Sequence, residues 1–277
     1  MKKILIGALL LTGCALPVMA CTGISATAKD GGYVQARTIE WGDSYLPSQY
    51  VVIPCGHEMI SYTPKGMNGA KFRARYGVVG LSIVLKDFVV EGLNEAGLSA
   101  GLFYFPHYGN YPVYDAKQNT RTVADLQLVA WMLSQFSTIE EIKAAMQDIR
   151  VVSVDTTGAS STVHWRIGDA NGRQVVLEFV DGVPCFYENE IGVLTNSPGF
   201  PWQMTNLNNY VNLYPGGAEA HQLGGVTIFP FGAGSGFQGI PGDVTPPSRF
   251  VRAAFYKATA PPVSYTHLRA HETAANL

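Results

Sequence analysis

The chain has 277 residues, 47% of them hydrophobic and 14% charged, which suffices for one large buried core and is short for two independent domains. With 19 Lys+Arg against 21 Asp+Glu there is no basic excess to hold a phosphate backbone and no acidic run to keep a segment unfolded, so no nucleic-acid partner is expected. The cysteines at positions 14, 21, 55 and 185 follow neither CxxC zinc spacing nor the density of a disulfide scaffold.

Lys2 and Lys3 precede the apolar run from Ile4 to Leu11, followed by Pro17, Val18, Met19 and Ala20. This is a signal-peptide pattern over residues 1–20, and its apolar run is far short of the roughly 20 residues a spanning helix needs. Cleavage after Ala20 makes Cys21 the first residue of an exported protein, periplasmic or secreted. Leu11-Thr12-Gly13-Cys14 also spells a lipoprotein cleavage box, which would mature the chain at Cys14 and leave Cys21 internal. A lipid-anchored binding protein is therefore the reading from another functional class.

Short β-rich runs separated by Gly, Pro and Asn follow at Tyr33 to Glu40, Tyr50 to Ile53, Gly77 to Leu85, Phe88 to Leu93 and Leu98 to Phe103. The spacing of Val123, Leu126, Val129, Ala130 and Leu133 predicts a helix from Thr122 to about Phe136. A capping box of Ser137 with Glu140 predicts another reaching about Ile149. Strands are expected again at Val151 to Val154, Val163 to Ile167, Val175 to Val180, Val183 to Tyr187 and Val193 to Thr195. A helix is expected from Trp202 to Leu213, and a last one near Thr245, with Pro246 and Pro247 in its first turn and Phe250, Val251, Ala254 and Phe255 as its apolar stripe. Strand runs interrupted by helix pairs indicate a layered α+β domain. Residues 263–277 break character after Pro261 and Pro262 and read as a tail of doubtful origin.

Two motifs fail on context. Gly234, Gly236 and Gly239 match GxGxxG, but Pro241 and Gly242 stand where a phosphate loop needs a helix. His267 and His271 have zinc-protease spacing, but Leu268 replaces the required Glu. No metal and no cofactor is expected. A Cys–His hydrolase would need His57, His107, His164 or His221 to approach Cys21 in space, which the sequence leaves open.

An amino-terminal cysteine carries its own base, because an α-amine titrates near pH 8, close to a thiol, and can take the thiol proton and return one to a leaving amine. A guanidinium would favour the thiolate further, and Arg37 lies on the first expected strand. The alternative is that Cys21 is a small buried core residue.

The words "CTGIS" at 21, "ARTIEWG" at 36, "GLNEAGL" at 92, "LTNSPGFPWQMTNLNNY" at 194 and "GIPGDVTPPSRF" at 239 together resemble the choloylglycine hydrolase family, and within it the bile salt hydrolases. The resemblance spans roughly residues 21–260. It implies an N-terminal nucleophile hydrolase with a four-layer αββα sandwich, assembled as a homo-oligomer, often a tetramer. Position by position, it places the nucleophile on Cys21 and the thiolate-orienting arginine on Arg37. The aspartate that contacts the terminal amine falls on Glu40, one methylene longer. The oxyanion amide falls on Asn196 and the second active-site arginine on Arg249. A further oxyanion position falls on Tyr104, where many bile salt hydrolases carry Asn and penicillin V acylases carry Tyr. Asn94 is read as a turn residue. Ile39, Phe103 and Phe105 are candidates for an apolar acyl pocket. The resemblance implies hydrolysis of glycine- or taurine-conjugated bile acids, with penicillin V or another N-acyl amide as the alternative substrate. Family members continue for several dozen residues past residue 262, so the catalytic domain at 21–262 is expected to lack late strands.

Overall fold

The computed structural model describes residues 19–29, 31–41, 46–154 and 162–260. The lipoprotein box, the leader apart from Met19 and Ala20, and the tail at 263–277 lie outside them.

Two antiparallel sheets face each other, with helices on both outer sides. The larger has seven strands in the order β13-β12-β11-β8-β7-β6-β3: β3 (Ser48–Ile53), β6 (Val78–Ile83), β7 (Val89–Asn94), β8 (Ser99–Tyr104), β11 (Val163–Gly168), β12 (Gln174–Val180) and β13 (Val183–Glu188). The smaller has three, β14-β1-β2, formed by β1 (Met19–Thr27), β2 (Tyr33–Trp41) and β14 (Val193–Leu194). Three short pairs decorate them: β4 (Glu58–Ile60) with β5 (Lys71–Arg73), β9 (Thr122–Ala124) with β10 (Arg150–Val152), and β15 (His221–Leu223) with β16 (Val226–Ile228).

Helix α1 (Leu128–Gln135) packs on β7 and β8, and α2 (Ile139–Ala145) follows it. On the far side α4 (Pro246–Thr259) packs on β1 and β14 and touches α3 (Phe200–Asn206). The layers therefore read α4, small sheet, large sheet, α1: the αββα sandwich. One apolar core lies between the large sheet and α1, built on Val89, Leu98, Leu133 and Trp165. Another lies around the small sheet and α4, where Cys21 packs with Phe103, Val193, Leu194 and Phe250.

The three-stranded sheet covers part of the seven-stranded one. Beyond it Tyr50 and Val52 on β3 are 91% and 73% exposed, with Val79 and Leu93 beside them also open to solvent. The outer edge of β2 has no strand partner among the described residues.

Helix boundaries differ from expectation in four places, one of them the second helix, which ends at Ala145 and not near Ile149. Thr122 starts no helix: its carbonyl accepts from Ala70 N–H at 2.8 Å and Ala124 N–H donates to Ser61 Oγ at 2.8 Å, which draws residues 122–124 into a strand and delays the helix to Leu128. The capping box is one residue later, between Thr138 and Glu141, while Glu140 turns outward to Arg173. The helix expected from Trp202 to Leu213 runs over Phe200–Asn206 and continues as a 3-10 turn over Leu207–Tyr210. The last helix stands where the paired prolines place it. Asp243 braces its start, accepting from Thr245 N–H at 2.9 Å and Ser248 Oγ at 2.6 Å; those bonds hold its carboxyl down at about 2.

Candidate active site

Strands β1 and β2 pair with Cys21 opposite Ile39 and Gly23 opposite Arg37, so these four residues share one face of the small sheet. That face meets the large sheet at Phe103. A Cβ on Gly23 would lie 2.6 Å from Phe103 Cζ and 2.8 Å from Arg166 Nη1, so only glycine allows this approach. The Arg37 guanidinium sits over the Phe103 ring at 4.1 Å and that of Arg166 at 5.6 Å. Glu91 on β7 binds both, with Oε2 3.5 Å from Arg37 Nη1 and Oε1 3.0 Å from Arg166 Nη2. Arg37 Nη1 also donates to the Leu102 carbonyl. The guanidinium is thereby fixed on the Cys21 side of the interface.

From the other direction come Asn196, just after β14, and Arg249 on α4. Asn196 Oδ1 accepts from Cys21 N–H at 2.9 Å and from Arg249 Nη2 at 2.8 Å, and its Nδ2 donates to the Tyr104 carbonyl at 2.7 Å. Arg249 also donates through Nη1 to the Cys21 carbonyl at 2.5 Å and to Thr22 Oγ1 at 2.6 Å. Burial pulls the Arg249 pKa down, and the nearby charges of Glu40 and Cys21 pull it back.

Cys21 and Arg37 line a cavity of about 430 Å³, within the range of about 300–1,000 Å³ usual for small-molecule sites. Its wall is mainly apolar, with Ile39, Leu46, Ile83, Val90, Leu102 and Val163. Tyr104 reaches it as well. So does Asp125, whose carboxyl burial pushes up to about 7 against hydrogen bonds from Leu126 and Val154 N–H and from Ser153. A larger cleft of about 600 Å³ runs along β2 past Arg37 and Glu91 but does not reach Cys21.

The structure thus gathers Cys21, Arg37, Tyr104, Asn196, Arg249 and Ile39. Glu40 lies opposite Ala20, outside the face that carries Cys21, and the Cys21 nitrogen is held by Asn196. Two pocket candidates are corrected: Phe103 is buried under the arginines, and Phe105 stacks on His164 with centroids 4.3 Å apart. Residues on a strand alternate between faces, so Leu102 and Tyr104 reach the cavity while Phe103 between them does not.

None of the four histidines considered for Cys21 serves it. His57, His107 and His221 are exposed, and both ring nitrogens of His164 are engaged, by Glu178 and by the Thr195 carbonyl. Gly234 to Gly239 form a loop with one 3-10 turn and no following helix. Asn94 braces a turn, accepting from Ala96 and Leu98 N–H and donating to the carbonyls of Leu133 and Phe136. Glu91, Arg166 and Glu178 escaped sequence reasoning. Their one signal is a lone charge inside an apolar strand run.

Comparison with known proteins agrees with this geometry. Residues 21–270 match the family described as linear amide C–N hydrolases, choloylglycine hydrolase family. A bile salt hydrolase/transferase of Clostridium perfringens is 32% identical over 241 residues, 86% of this chain and 71% of that protein. A solved variant of the conjugated bile acid hydrolase of the same organism superposes with TM-score 0.74 at 30% identity, over 86% of this chain and 72% of the other. The penicillin V acylase of Agrobacterium tumefaciens shares the fold, with TM-score 0.71 at 24% identity, over 92% of this chain and 70% of its own.

Proposed function

The chain belongs to the choloylglycine hydrolase family and is an amidohydrolase; from that premise we propose that it cleaves the amide between a steroid acid and glycine or taurine, with Cys21 as nucleophile. The observation that carries this reading is the Cys21 nitrogen, 2.9 Å from Asn196 Oδ1, beside an apolar cavity that Arg37 also lines. The names of the 30–32% identical relatives supply the substrate class.

Cleavage after Ala20 converts that nitrogen into an α-amine, which titrates near 8 and takes the thiol proton. The thiolate attacks the amide carbonyl, and negative charge develops on its oxygen. Asn196 Nδ2 uses one N–H on the Tyr104 carbonyl and has a second for this oxyanion; the other donor falls at Tyr104. The ammonium then gives its proton to the leaving nitrogen, the C–N bond breaks, and a thioester remains on Cys21. Water, deprotonated by the same amine, attacks the thioester and frees the acid. Arg249 anchors the Cys21 carbonyl throughout, and the Glu40 charge acts on Arg249.

Removing one oxyanion donor costs about 10²–10³ in kcat, so Asn196→Ala should retain about 0.1–1% of the rate on glycocholate with little change in KM. Tyr104 favours a second reading, penicillin V hydrolysis. Comparing glycocholate, taurocholate and phenoxymethylpenicillin decides between them: a clear kcat/KM preference for either bile salt supports the proposal, and turnover of the penicillin alone overturns it. Export is part of the same reading, since the amine exists only after the leader is removed; amino-terminal sequencing that begins at Cys14 would refute it. Homo-oligomer formation, up to a tetramer, is supported by the β15–β16 hairpin, where Leu223 and Val226 are each 65% exposed and Phe229 lies open beside them.

A further inference from the structure

Beneath the active-site turn lies a pair that this mechanism does not use. His164 on β11 and Glu178 on β12 are both buried. His164 Nδ1 lies 3.0 Å from Glu178 Oε1, and its Nε2 lies 3.1 Å from the Thr195 carbonyl. The same Glu178 Oε1 accepts from Phe200 N–H at 2.8 Å. Phe105 stacks flat on the imidazole and Phe103 meets it edge-on, so the ring has no freedom to turn away. The segment 195–200 is gripped at both ends, its first carbonyl by the imidazole and its last N–H by the carboxyl group. Asn196 lies between these grips.

Counting hydrogens defines the pair. A carbonyl oxygen only accepts, so Nε2 must carry a hydrogen. The 3.0 Å contact between Nδ1 and Oε1 needs another, because without it two lone pairs would face each other. A neutral imidazole opposite a carboxylate supplies one of the two. The second sits on Nδ1, giving imidazolium and carboxylate, or on Oε1, giving two neutral groups. Either arrangement leaves Oε1 a lone pair for Phe200 N–H.

We propose that His164 and Glu178, by holding this shared proton, are positioning residues that fix the Thr195–Phe200 turn so that the Asn196 amide meets the oxyanion. The inference rests on the Asn196 role given above.

The test uses the processed protein with glycocholate. His164→Phe keeps a flat ring against Phe105 and deletes both donors. Glu178→Gln keeps the shape but cannot satisfy Phe200 N–H, Nδ1 and the Thr195 carbonyl together around a neutral ring. The expected kcat losses are about a hundredfold and about tenfold, with KM within threefold, because the loss is confined to an oxyanion donor. The His164→Phe/Asn196→Ala double variant should be no slower than Asn196→Ala alone, since the ring acts through that amide. In the unsubstituted protein, ¹⁵N resonances of His164 should report a hydrogen on Nε2, whichever partner holds the other proton. Folded variants with unsubstituted kcat, additive losses in the double variant, or a ring bare at Nε2 would each overturn the inference. The ¹⁵N measurement stands even if His164→Phe does not fold. Full activity in Asn196→Ala would instead remove the oxyanion reading itself.

Discussion

Replacing Gly23 by alanine tests whether the approach of the two sheets sets the reactive geometry. The added Cβ would sit 2.6 Å from Phe103 Cζ and 2.8 Å from Arg166 Nη1, where ordinary contact begins at 3.4 Å. Neither neighbour yields easily: Phe103 is buried and Arg166 is tied to the Ile24 carbonyl at 2.9 Å and to Glu91. Strand β1 must therefore back away by something approaching 1 Å. Overpacking of this kind costs about 1–3 kcal/mol, and the lower chain entropy of alanine returns about 0.4–1 kcal/mol, so a net loss of about 1 kcal/mol, at most about 2.6, is expected. For a chain of this size each 1 kcal/mol lowers Tm by roughly 2–4 °C. The catalytic effect should be larger, because Cys21 is two residues away on the same face, and a shift of that size opens its 2.9 Å bond to Asn196. Misplacement by about 1 Å can cost about a hundredfold in rate. Urea unfolding with steady-state kinetics on glycocholate measures both. A Gly23→Ala protein that unfolds at the same urea concentration and turns over at the unsubstituted rate would refute the argument that this contact is tight.

Cys21→Ser should retain the fold and lose roughly 10³-fold or more in kcat, measured at saturating glycocholate. Asp125→Asn should flatten the pH dependence of stability. In the native protein the Asp125 pKa is raised to about 7, so stability attached to its neutral form is complete below the unfolded value near 4 and is lost as pH rises to about 7. The asparagine variant should gain roughly 2–4 kcal/mol at pH 8 relative to pH 4 when both are compared with the unsubstituted chain by urea titration. The Leu223→Ser/Val226→Ser double variant should sediment as a smaller species with unchanged monomer stability, because both side chains are mostly exposed; unaltered sedimentation counts against the hairpin as a contact between copies.

Alternation and turn residues made most strands of the large sheet legible, with edges within about two residues. The strand that carries Cys21 was not among them. Its sequence, MACTGISAT, is rich in small side chains and weak in β propensity; it is a strand because β2 pairs with it along its whole length and Gly23 fits the close approach of the other sheet, a property of the pairing and not of the segment. Thr122 failed for a related reason, since partners at Ser61 and Ala70, more than fifty residues away, claimed its backbone. Two overlapping capping boxes in "STIEE" could be told apart only by Arg173, which draws Glu140 away. At the site, identities came from whole motifs, while Phe103 misled because apolar character does not say which face of a strand a residue occupies, and Phe105, just past the strand, because it does not reveal a stacking partner such as His164. Glu91 and Arg166 gave a signal, a charge within an apolar run, whose meaning depends on pairing across sheets.

Glu91 is one anion shared by two guanidiniums, those of Arg37 and Arg166. Losing Arg166 alone would leave Glu91 to Arg37 undivided and draw that guanidinium toward β7; losing Glu91 alone would set two like charges against each other in a confined space. A change at one of the two positions therefore makes keeping the original residue at the other disadvantageous. In descendants that keep an arginine at 37, substitutions at 91 and 166 should be accepted together or not at all, so this pair, remote from the cleaved bond, constrains how the lineage can drift.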